Sequence, residues 1–237
     1  MPEQAEKCLE VRGLGAGYGS LQVLWDFDLE ISAEESVVVL GPNGSGKTTL
    51  INVVSGVYRP TSGRVELLGH DATGQAPERL VRLGLNRTFQ TPRPFRPLTV
   101  LENVQVALRH GRDAAQSPEE ILELCGLGGQ GGLPAESLNS SQQKRLDLAR
   151  ALATAPEVLL VDELAAGMRH DELDGAAELL RKLAAAGRAL LVVEHLMGFV
   201  RQVTDRVVVL NAGTTIFAGS LEEASEDPHV VEVFLGA

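Results

Sequence analysis

The sequence is poor in the kind of charge that holds phosphate backbones. Only four of its 237 residues are lysine, and 21 basic side chains stand against 32 acidic ones, a net charge of −11. Nucleic acids and anionic lipid surfaces are held by clustered cations, so this balance excludes a general nucleic-acid binder and disfavours direct adsorption to a membrane. Cysteine is almost absent. Cys8 and Cys125 lie far apart without metal-ligand spacing and read as two reduced thiols packed as small hydrophobes. No run approaches 18 uninterrupted apolar residues, and the opening MPEQAEKCLEVRG carries charges where a secretion signal is apolar. The expectation is a cytoplasmic chain that reaches a membrane only through a partner. Aromatic residues are few as well: six Phe, two Tyr and one Trp. What remains is ordinary globular usage, 44% hydrophobic and 22% charged, which excludes disorder and low complexity. Glycine, at 25 residues, stands out.

Residues 8–12 and 21–31 alternate like antiparallel strands, with the turn-like GAGYGS between them. SVVVL at 36–40 is a continuous apolar run stopping at Gly41, as a buried parallel strand reads. Further strands are expected at 63–68 and 84–89. A helix is expected from Thr99 to about Leu108, where Thr99 and Glu102 have capping-box spacing. The glycine-rich stretch 126–139 is a loop internal to one unit. Beyond it the spacing predicts helices at about 140–154, 171–186, 196–202 and 228–235. Strands alternate with them at 157–162, 189–194, 206–210 and 214–218. This pattern defines an α/β fold: an N-terminal antiparallel β part, then a mostly parallel sheet flanked by helices through right-handed crossovers.

Immediately after the 36–40 strand comes Gly41-Pro42-Asn43-Gly44-Ser45-Gly46-Lys47-Thr48-Thr49, matching G-x-x-x-x-G-K-[ST]. Glycines let the backbone wrap phosphates with its N–H groups turned inward, and the following helix adds its positive end. Lys47 then reaches the β- and γ-phosphates, and the Thr48 hydroxyl ligates Mg²⁺. A sequence of this composition would produce the motif by chance about 0.004 times. Nucleotide binding follows.

Two acids end the apolar run Val158–Val161. Strand alternation would set Asp162 and Glu163 on opposite sides at the edge where open α/β sheets bind ligands. Asp162 is placed to hold the Mg²⁺ shell and Glu163 to polarise a water attacking the γ-phosphate. The 189–194 strand ends in Glu194-His195 at the same edge, which gives His195 a γ-phosphate contact. Gln90, just after the 84–89 strand, can reach Mg²⁺ or the attacking water. His70, His110, His170 and His229 read as surface residues.

Leu138-Asn139-Ser140-Ser141-Gln142, ahead of the helix that precedes the acid strand, completes a resemblance covering essentially the whole chain. It looks like the ATP-binding subunit of an ABC transporter. The resemblance implies a P-loop NTPase core with a helical signature subdomain at about 91–155, the whole of 1–237 being one nucleotide-binding domain with ATP and Mg²⁺ as cofactors. It implies Tyr18 stacking on adenine with Val23 beside it, and Gln90 in the Q-loop. Glu163 becomes the general base, His195 the switch histidine, and 138–142 the signature. Asn86–Val104, Ala165-Ala166-Gly167, Glu194–Met197 and the tail 227–236 are similar to LivG-type branched-chain amino-acid uptake cassettes, with urea/amide uptake cassettes looking alike.

The implied function is the ATP-hydrolysing subunit of an importer for a small polar solute, working with a second cassette, permease subunits and a solute-binding protein at the inner face of the membrane. The alternatives are a cassette that binds ATP but hydrolyses it poorly, or one serving another substrate, including lipid export. Residues 91–110, with Phe95 and Pro92, Pro94 and Pro97, would face the permease. The chain departs from the family at Asn139, Ser141, Leu164, Met168 and Arg169. These alter what is presented to the second cassette while leaving the phosphate loop and acids intact, which points to a heterodimer with asymmetric sites.

Overall fold

The computed structural model describes residues 7–112, 116–204 and 206–235, with backbone alone for the last two. The expected Gly236 at the end of the similar tail lies outside these residues. Two sheets organise the chain. The first is antiparallel, in the order β2-β1-β4-β5, formed by β1 (Lys7–Tyr18), β2 (Leu21–Ser32), β4 (Ser62–Leu67) and β5 (His70–Asp71). The second has the order β10-β9-β3-β8-β7-β6. In it β3 (Ser36–Leu40), β6 (Leu85–Arg87), β7 (Val158–Asp162), β8 (Ala189–Val193) and β9 (Arg206–Asn211) run parallel, and β10 (Thr214–Ser220) closes the edge antiparallel to β9.

The parallel strands read as unbroken apolar runs because both of their faces are covered. Val38, Leu40, Leu159, Val161, Leu190 and Val192 enter one core, shared with the helices α3 (Val100–Leu108), α4 (Pro118–Leu124), α5 (Ser140–Leu152), α6 (His170–Ala185) and α7 (Met197–Val203). The alternate residues Val37, Val39, Val158, Leu160, Leu191 and Val193 enter a second core with α1 (Lys47–Val54), α2 (Pro77–Leu83) and the antiparallel sheet. The parallel sheet is therefore a partition between two apolar layers. Thr99 caps α3 with the expected reciprocal bonds to Glu102.

Some boundaries differ from the sequence reading. GAGYGS is strand rather than turn as far as Tyr18, and the reversal falls on Gly19-Ser20, because β1 bends through several bulges opposite β2. The strand expected at 84–89 is only Leu85–Arg87, so Phe89 and Gln90 lie outside the ladder. The short helices α2, α4 and α8 (Leu221–Glu226) were not anticipated, each being too brief to show a helical apolar period. α9 (Pro228–Leu235) ends the description as expected.

Candidate functional site: a phosphate loop and an acid pair at one sheet edge

The turn from β3 into α1 is shaped by contacts that only glycine tolerates. A Cβ on Gly41 would lie 2.2 Å from the Leu210 carbonyl oxygen, and one on Gly46 (φ +109°) 2.7 Å from the Leu24 side chain. α1 starts with no side-chain cap, so its first N–H groups are left for a ligand. Ser45 Oγ is buried without a hydrogen-bond partner, a donor that the protein alone leaves unmatched. Lys47 is buried and donates to the carbonyls of Gly41 (2.7 Å) and Pro42 (3.0 Å), curling across the loop. Burial pulls its pKa down, opposed by the charges of Glu163 and Asp162. A cation over bare backbone N–H groups, with an orphaned hydroxyl, is a cradle for an anion. The exposed Asn43–Gly44 side leaves it open.

Tyr18 stands beside this loop. It is 40% exposed, meets Tyr58 edge-on at 5.1 Å, and shares a 3.2 Å hydrogen bond with Thr49 Oγ1 of α1. Val23 is half-buried on β2.

Sheet register brings the remaining residues to the same edge. Val39 pairs with Val193, and Val193 with Asp162, so β3, β8 and β7 end side by side. Gly41, Glu163 and His195 all follow from there. Asp162 is almost wholly buried, and burial raises its pKa against the opposing charge of Arg87. Glu163 is not on the opposite pleat of the strand, as alternation suggested. It leaves the strand in a left-handed conformation (φ +48°), and its carboxylate accepts a 2.8 Å bond from Gln90 Nε2. Gln90 and His195 are exposed. The donor set suits Mg²⁺, which takes one or two carboxylates alongside hydroxyls, water and substrate phosphates. Asp162, the exposed Thr48 hydroxyl and the Gln90 amide oxygen are of that kind. Among the described residues no group of three or more His, Cys, Asp and Glu is arranged for a tighter-binding metal.

Three side chains at this edge were missed. Arg87 is buried and joins Asp162 at 3.3 Å, while also donating to Asn52, Ser55 and the Thr88 carbonyl. Its signal was legible: on a short strand, alternation puts Arg87 on the same buried side as Leu85. Lys144 is buried on α5 and donates to the Glu163 carbonyl. Glu194 is fully buried and accepts from Ala165 N at 2.7 Å.

The signature residues open α5. Asn139 is its N-cap, accepting from Gln142 N at 2.9 Å while Gln142 accepts from Asn139 N at 3.0 Å. Ser141 is turned inward. Its hydroxyl donates to Glu172 at 3.0 Å and it is buried, so the serine side chain packs within its own chain. Asn139 and Ser140 are exposed, and among the described residues no hydrogen bond joins 139–142 to the phosphate loop of their own chain. Arg169 is largely exposed and pairs with Asp171 at 2.8 Å.

A glycine-lined anion cradle after a central parallel strand, with an acid pair at the end of the next strand but one in the sheet, defines a P-loop nucleotide hydrolase. The chain belongs to the ABC transporter family, whose sequence profile matches residues 24–166, and within it is an ATP-binding cassette ATPase. It is 33% identical to BraF, a high-affinity branched-chain amino acid transport ATP-binding protein of Pseudomonas aeruginosa, over 96% of this chain and 97% of that one. It is 34% identical to LivG of Escherichia coli, of the same description, over 98% and 99%. Among solved structures, a nucleotide-free ATP-binding cassette from an ABC transporter superposes with a TM-score of 0.88 at 28% identity, covering 98% of this chain and all of that one.

Proposed function

We propose that this chain is the ATP-hydrolysing subunit of an importer for branched-chain amino acids, held at the inner face of the membrane by permease subunits and supplied by a solute-binding protein. The observation that carries the reading is the convergence of Gln90, Asp162, Glu163 and His195 on the phosphate-loop edge, in a chain similar over nearly its whole length to BraF and LivG. The unit spans 1–237, with its helical part at about 91–155.

The residue roles follow from position. The N–H groups of Gly41–Thr49 and the Lys47 ammonium hold the phosphates. The Tyr18 ring, with Val23 beside it, offers a face to the adenine. Thr48, Asp162 and Gln90 would hold Mg²⁺, which when bound neutralises charge on the β- and γ-phosphate oxygens. Glu163, oriented by Gln90, accepts the proton of the attacking water, and His195 donates to the γ-phosphate. Asn139, Ser140, the backbone of Ser141, and Gln142 face the nucleotide of a second cassette. Two supports bear on the permease contact: Phe95 is 45% exposed, and it borders a groove of about 210 Å³ shared with Phe89, Asp147 and Arg150.

The test is uptake of labelled leucine by the assembled transporter. Glu163→Gln is expected to abolish ATP turnover and uptake while retaining ATP binding. Undiminished turnover in that variant, or uptake of urea in place of leucine, overturns the corresponding part of the reading.

A further inference from the structure

Glu194 and Lys144 are buried charges to which the nucleotide chemistry gives no task, and they grip the same short stretch of backbone from two sides. Glu163 lies in the left-handed region, which a residue with a long side chain occupies only when its surroundings over-determine it. Its own N–H continues the sheet by donating to the Val193 carbonyl at 2.9 Å. Its carbonyl receives the Lys144 ammonium from α5. The next N–H but one, of Ala165, donates to Glu194 Oε1 at 2.7 Å. Glu194 Oε2 accepts more weakly from His195 N at 3.3 Å, so the same carboxylate also touches the backbone of the switch residue. No ion pair joins Lys144 to Glu194 among the described residues. Each commits its hydrogen bond to main chain, which a simple buried salt bridge would not do.

We infer that Lys144 and Glu194 are positioning residues that clamp the peptide groups following Glu163 and thereby fix its carboxylate against Gln90 and the attacking water. The inference rests on Glu163 being the base. Burial lowers the pKa of Lys144 against the charges of Glu194 and Glu163, and raises that of Glu194 against the hydrogen bonds from the Ala165 and His195 N–H groups. The phosphate loop and the Tyr18 ring lie outside the clamp, which meets the site only at the backbone of Glu163, Ala165 and His195. Its loss should therefore appear in turnover and not in affinity. Geometric errors of about 1 Å at a reacting centre cost on the order of 100-fold in rate.

The experiment measures kcat, KM and equilibrium ATP binding in the assembled transporter for Lys144→Met, Lys144→Arg, Glu194→Met and Glu194→Gln. Both Met variants are expected to lose roughly 10- to 100-fold in kcat with ATP affinity within about twofold of the parent. Lys144→Arg keeps a donor and Glu194→Gln an acceptor, so each should recover most of the loss seen in its Met counterpart. Affinity falling in step with kcat in the Met variants, or an unchanged kcat in Lys144→Met, overturns the clamp. Should Glu194→Met fail to fold, the Lys144 pair decides alone. Glu163→Gln separates the two readings: if it is inactive while Lys144→Met is fully active, the base stands and the clamp falls.

Discussion

Arg87 is the clearest case of a single residue whose role depends on burial. Its guanidinium is shut in with Asp162, and burial lowers its pKa while the charges of Asp162 and Asp147 work the other way. Removing one partner of such a pair leaves an uncompensated charge in the interior. Arg87→Met is therefore expected to cost about 3–5 kcal/mol of stability, measured by urea unfolding without nucleotide. Arg87→Lys would recover little of this, because a point charge cannot serve Asn52, Ser55, the Thr88 carbonyl and Asp162 together. At this scale the sequence was informative wherever chemistry requires a rare residue type. Lys47, one of four lysines, and the two glycines beside it announced themselves. The inward turn of Ser141 was invisible, because it depends on where α6 places Glu172, and no local pattern in 138–142 encodes that.

At the scale of elements, α5 connects the site to the Q-loop. Asp147 Oδ2 accepts from Phe89 N at 2.7 Å, and Arg150 reaches Asp147, the Arg93 carbonyl and the Phe95 ring. Burial pushes the Asp147 pKa up to about 6, against the Phe89 N–H and the charges of Arg150 and Arg87. A carboxyl whose folded pKa is raised binds more protons when folded than when unfolded. Its contribution to stability therefore grows as pH falls through about 6, and shrinks as pH rises, by at most about 1.4 kcal/mol per pH unit. The prediction is that, between pH 7 and pH 5, the parent gains stability relative to Asp147→Asn in parallel thermal melts. Elements with strong periods were read well: α3 with its capping box, the β3, β7 and β8 runs, and α6 to within a residue. The short helices escaped because two turns do not establish a period. Lys144 was overlooked for a related reason: a lysine on the buried stripe of Ser141 and Leu148 reads as polar unless the stripe is traced through it.

For the whole molecule, the two-layer partition brings the phosphate loop, Asp162, Glu163 and His195 to one edge of the parallel sheet and leaves Asn139 and Ser140 exposed, with no hydrogen bond to their own phosphate loop among the described residues. A complete site in this reading takes its signature from a second cassette. With Ser141 turned inward, the expectation of two unequal sites rests on Asn139 and on Arg169, whose charge is paired with Asp171 at 2.8 Å. Glu163→Gln in this chain and the corresponding change in the partner cassette are expected to reduce transport unequally. Equal losses would indicate two equivalent sites. None of the described helices is long and apolar enough to cross a membrane.

The handholds of α5 have a consequence for how motion is shared. Lys144, Asp147 and Arg150 recur every three residues along one flank of a rigid helix, so the first and last are separated by about 9 Å of axial rise. A bar fastened at both ends has little backlash. Whatever tilts the Arg150 end, against Phe95, must displace the Lys144 end, against Glu163, in the same instant and with no intervening loop to absorb the slack.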